Sequence, residues 1–254
     1  MNFEAELARL RSRVESLERF IHVFAASLTQ PLFYHSGHEH YGFRYGKPDV
    51  RHFCLLKAVR AVSALNAALE LARCGFAQEI AVLMRTLIEC TTHIEFLLSG
   101  SQLDGTLSPD AAKYMNAFFA DYNRGHASDI KRAQVRQSIV HDVLGKELDM
   151  IREQSERADA DVNVPAAVRY SNVYLEFSNY VHAKYPEVMD LYGGKPGHFH
   201  VRGMRGTPKD AENLQTLDTF IDTASTTLRL VVNYLKLHEL VRLDAKLAAW
   251  WSAS

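Results

Sequence analysis

Long apolar runs without charge are missing from this chain. No run of about 18 apolar residues lacks charged side chains, so a membrane-spanning helix is not expected. Cysteine is scarce: Cys54, Cys74 and Cys90 are scattered, odd in number and form no CxxC pair. That rules against a disulfide scaffold and fits a reducing, cytoplasmic setting. A charge excess of either sign is also missing, since 29 basic residues face 30 acidic ones. The whole molecule therefore has no electrostatic footprint for nucleic acid or an acidic membrane, and such a contact would need a local patch. The first residues, MNFEAELARLRSRVESLERF, are charged and amphipathic, unlike a secretory leader. Repeats, low-complexity tracts and flexible linkers are absent too, so residues 1–254 are expected to form a single domain.

What is present is helical periodicity. Leu7, Leu10, Val14, Leu17, Ile21, Phe24 and Leu28 alternate spacings of three and four, a heptad seam over residues 2–29. The seam either packs on the chain's own bundle or joins two copies as a homodimer. Residues 30–49 are rich in glycine, histidine and tyrosine and read as a loop or short hairpin. Helices are predicted over 49–73, with Gly75 as a stop, and over 76–98. Ser108-Pro109 opens another over 109–124. Further helices are predicted over 128–158 and 163–184, with Pro186 as a break and Gly193-Gly194 ending a short continuation. Residues 194–209 form a second loop rich in glycine and histidine. A capping start at Thr207-Pro208 with Asp210 leads into a long, kinked final helix to residue 250. The fold class is all-α: a multi-helix bundle with long N- and C-terminal helices and two Gly/His-rich loops.

Residues 80–98, IAVLMRTLIECTTHIEFLL, are apolar on nearly every face if helical, as expected of a central helix. Yet Arg85, Glu89 and His93 recur every four residues and share one stripe. They are expected to be mostly buried and to enter the interior together, either as a structural network or as a ligand site. In SNYVHAKYP, Ser178 and His182 share a helical face near the proline, where a histidine can serve as general acid or base. Between Lys195 and Lys209 stand Arg202 and Arg205 with no acidic residue, interleaved with His198, Phe199 and His200. Basic and aromatic residues on a glycine-rich backbone suit phosphate and base contacts. His35, His38 and His40, with His198 and His200, have spacings that could hold zinc or nickel, although no cysteine pair accompanies them. No cofactor is implied.

Arg136-Gln137-Ser138-Ile139-Val140-His141 places a histidine five positions after an arginine on a helix. This spacing resembles the Rx4H element of the HEPN superfamily, many of whose members are metal-independent ribonucleases or nucleotide-binding helical proteins. Gln137 departs from the polar residue, often asparagine, that commonly follows the arginine there. RTLIECTTHIEFLL and SNYVHAKYPEVMDLYGG also resemble a family of uncharacterised bacterial all-helical proteins with an Arg-Glu helix and a later Ser-x-x-Val-His element. The resemblance covers residues 50–200 and implies a distant HEPN-like relation. It makes Arg136 and His141 a catalytic pair. Arg85 with His182 competes with it but lacks the local spacing.

The leading expectation is a cytoplasmic bundle with a polar site built from Arg85, Glu89, His93 and His182, binding RNA or a phosphate-bearing small molecule. Histidine would act as base and arginine would steady the phosphorane charge in metal-independent cleavage. The alternatives are a non-catalytic scaffold or interaction protein and a metal-binding bundle that uses the histidine loops.

Overall fold

The computed structural model describes residues 2–36, 40–99, 106–119 and 176–252. Helix α1, Phe3–Ala26, starts where Asn2 Oδ1 accepts from Ala5 N. Its heptad residues from Leu7 to Phe24 are buried inside this same chain, with Leu28 partly so. The seam is thus satisfied within the bundle and offers no dimer surface. Strands β1, Leu32–Ser36, and β2, His40–Arg44, pair antiparallel with Phe33 opposite Phe43, so the first Gly/His segment is a hairpin.

Helix α2, Val50–Cys74, has the most thoroughly buried surface. Asp49 caps it by accepting from the Arg51 and His52 amides, and His52 Nδ1 reaches back to form a capping box. Alanines at 58, 61, 68 and 72 are buried on it and let the neighbouring helices approach closely. Gly75 stops α2 in the left-handed region at φ 80°. Helix α3, Ala77–Ser99, folds straight back beside α2. Helix α4, Pro109–Phe119, is capped by the Ser108 hydroxyl and sets Tyr114 against Phe53 and Phe96. The predicted helix over 128–158, the first part of that over 163–184, and with them Arg136 and His141, lie outside the described residues.

Residues 176–181 are helical. The helix ends before Pro186, as the break predicted there requires. Pro186 occupies the first turn of a separate short helix α5, Tyr185–Met189, where a missing amide hydrogen costs nothing. The long final helix is not one helix. Helix α6 spans Lys209–Tyr234 and ends with Lys236 at φ 56°, as Leu237 N bonds Val232 O at 2.8 Å. Helices α7, His238–Arg242, and α8, Ala245–Ser252, turn back onto α1. The bundle is α1, α2, α3 and α6, packed around Leu10, Phe20, Phe53, Leu65, Met84 and Leu217.

The loop between α5 and α6 is tightly built. Tyr192 bridges Phe199, and Gly193 leaves room for the His198 ring, which a Cβ there would meet at 1.9 Å. Met204 N bonds Gly75 O at 2.7 Å, and Gly203, at φ 97°, lies where a Cβ would strike the Cys74 carbonyl. The loop is thereby docked on the α2–α3 turn.

Candidate functional site

The arginine–glutamate stripe runs along a partly open face of α3, while the opposite face is buried. Arg85 Nη2 lies 3.3 Å from Glu89 Oε1, with the side chains 23% and 36% exposed. Arg85 is mostly covered as expected, while for Glu89 the expectation is corrected to half-buried. α3 flanks the core and α2 is its centre, which leaves one stripe of α3 uncovered by the described helices. A pair of this kind along one helix contributes a few tenths of a kcal/mol, about 0.3–0.5.

His93, the third member, turns to α2. Lys57 Nζ is 3.1 Å from its Nδ1. The ammonium can only donate, so Nδ1 must carry a lone pair and the proton resides on Nε2. Lys57 also rests 4.9 Å from the Phe118 ring, and His93 5.3 Å from that of Tyr114. The imidazole thus has a lysine and a tyrosine ring for neighbours.

His182 does not join this group. It is exposed at the end of the 176–181 helix, followed by Ala183 at φ 47°, and no hydrogen bond or ion pair ties it to Arg85, Glu89 or His93. Ser178 is half-buried, and only its backbone carbonyl meets residue 182, accepting from the His182 amide. From the same helix it is Tyr180 that turns inward, its hydroxyl 3.4 Å from Asp190 Oδ2, and burial raises its pKa above the ordinary tyrosine value.

The basic loop divides by role. Lys195 and Arg202 are exposed. Arg205 is tied down: it pairs with Asp210 and, at 3.1 Å, with Glu4, and its guanidinium stacks 3.4 Å from the Phe3 ring centre. It staples the loop to the start of α1. Asp210 Oδ2 also accepts from Gly206 N at 2.8 Å, so Asp210 supports the start of α6 while Thr207 bonds back to Met204. His198 and His200 stand with ring centres 4.9 Å apart, and among the described residues no group of three histidine, cysteine or acidic side chains is placed to hold a metal. Burial pushes the Cys54 thiol up to about 12, which makes it inert as a nucleophile.

A wider cleft lies elsewhere among the described residues. About 940 Å³ opens between α1, α6 and α8. Most of its charges are matched: Arg13 pairs with Asp218 and Asp222, Arg19 with Asp244 at 2.6 Å, and Glu18 bonds Asn66. Lys246 makes no ion pair among the described residues, and neither does Arg229. Arg229 is half-buried, and its Nε is buried without a hydrogen bond. Burial lowers its pKa, against the pull of Asp222. One Nη2 donates to the Trp250 carbonyl at 2.8 Å, and the guanidinium lies 5.2 Å from the Trp250 ring. Ser16, Ser225, Thr226 and Lys246 line the same cleft. Trp250 is fixed there because its indole N–H donates to Ser225 Oγ at 3.0 Å.

Sequence reasoning missed Arg229, Trp250 and Tyr180. A lone arginine in TTLRLVV looks like many surface arginines, and only the return of α8 onto α1 and α6 desolvates it. Comparison with family models, curated proteins and solved structures returns no match. Among the described residues, no helix is long and apolar enough to cross a membrane.

Proposed function

We propose that this is a cytoplasmic helical-bundle protein that binds a phosphate-bearing small molecule in the α1–α6–α8 cleft. The observation that carries the reading is Arg229. A part-buried guanidinium with no ion pair among the described residues is costly to hold, and an anion from outside would match it. Hydroxyls at Ser225 and Thr226 supply further donors, and Lys246 a second positive charge. The volume falls within the usual range for small-molecule sites, about 300–1,000 Å³. The cleft is lined by bonded acids as well as cations, which favours a compact anion over a long polyanion.

The chain's two tryptophans, Trp250 and Trp251, both border Arg229, so the protein carries its own probe. Titration with adenosine monophosphate or pyrophosphate should change their emission saturably. Arg229→Met keeps the apolar stem and should weaken binding at least about tenfold, or about 1.4 kcal/mol. Saturable binding that is unchanged in Arg229→Met refutes the site.

Metal-independent RNA cleavage is tested separately, because it rests on Arg136 and His141. Cleavage that survives chelation and is lost in His141→Ala supports it. A protein that neither binds nor cuts RNA at low salt leaves the scaffold reading.

A further inference from the structure

A second, smaller cavity lies at the other end of α6. About 190 Å³ is enclosed where the first turn of α3, the 176–181 helix, the end of α5 and the start of α6 meet. We infer that it is a binding site for a small primary amine. The deciding residue is Asn213, which is 9% exposed, lines the cavity and makes no hydrogen bond within the described structure. Without a protein partner, its carboxamide has a free carbonyl and N–H donors to offer a polar guest in the cavity.

The charges decide which guest. Glu176, Asp190 and Glu212 border the cavity against one cation, Lys209. Lys209 is already held 2.7 Å from Glu212 and 3.9 Å from Asp190. The first turn of α3 opens on the same space, and its partial charge offsets about half a carboxylate. The lining stays net negative, which disfavours an anion. A metal ion fits poorly, since among the described residues no three donors are arranged for one. The floor is apolar, formed by Ile80, Ala81, Phe177 and Met204. A short alkyl chain can lie on that floor while its ammonium donates to the Asn213 carbonyl and the rim carboxylates. Tyr180, whose hydroxyl holds Asp190 only at 3.4 Å, has a lone pair to offer as well.

Isothermal titration with butylamine and 1,4-diaminobutane, with butanol and inorganic phosphate as controls, tests this. Saturable binding of the amines is expected, with butanol and phosphate silent. Asn213→Leu should reduce amine affinity at least about tenfold. Glu212→Gln, at a position 61% exposed where the fold does not depend on the charge, should reduce it severalfold and serves if Asn213→Leu fails to fold. Amines that give no saturable heat mean the cavity holds water only and overturn the inference. Equal binding of butanol, or amine binding indifferent to Glu212→Gln, overturns it too.

Discussion

Arg202 and Arg205 look alike in the sequence, three residues apart in the same basic loop, and the structure gives them opposite roles. Arg205 holds Asp210 and Glu4 and lies flat on Phe3. The two ion pairs are partly exposed and contribute about 0.2–1 kcal/mol each. The cation–π contact adds about 0.5–1 kcal/mol. Arg205→Ala should therefore destabilise the fold by roughly 2 kcal/mol, a melting temperature lower by about 4–8 °C for a chain of this size. Arg202 is exposed and makes no ion pair among the described residues, so Arg202→Ala should stay within about 0.5 kcal/mol. In polyanion binding the order reverses. If the loop touches RNA, Arg202→Ala should weaken binding of all sequences alike and lower the slope of affinity against salt by about one unit. Arg205→Ala should leave both unchanged below its melting temperature. Thermal melts and fluorescence anisotropy of labelled single-stranded RNA read the two effects independently. An Arg205→Ala variant that keeps the wild-type melting temperature while losing RNA affinity would refute this assignment.

Leu10 is fully buried in the α1 seam, so Leu10→Ala should cost about 2.5–5 kcal/mol in urea unfolding, with a midpoint independent of protein concentration. A midpoint that rises with concentration would mean the seam stabilises a dimer after all. Asp244 is held below the ordinary aspartate value, chiefly by its hydrogen bond to Arg19 and then by the Leu247 and Lys246 amides, while burial works against it. A depressed carboxyl contributes stability that is present above its unfolded value and lost as pH falls through the folded one. The Arg19–Asp244 link from α1 to α8 should thus weaken from about pH 4 downward. Asp244→Asn should lower stability at pH 7 and flatten that acid-side fall; unfolding curves at pH 7 and pH 3 that run parallel to wild type would contradict it.

Sequence by itself determined the elements whose signals are local. Heptad spacing in α1, the Asp49 start and Gly75 stop of α2, and the Ser108-Pro109 opening of α4 depend on side chains within a turn or two of one another. Backbone hydrogen bonding and capping are short-range, so these boundaries could be read directly. The final helix was harder, because its break at Lys236 uses a non-glycine residue in the left-handed region and leaves little trace in composition. The site was least legible. Arg85, Glu89 and His93 share a stripe because helical geometry requires it, but which elements cover that stripe is a matter of packing between residues far apart in the chain. His182 is carried to the surface by the end of its helix. Arg205 finds Glu4 at the opposite end of the sequence. Only the tertiary structure decided that Arg229 is half-buried without an ion pair among the described residues and that Asn213 faces a cavity. Burial and pairing are set by what arrives from distant segments, and periodicity along one helix does not report that.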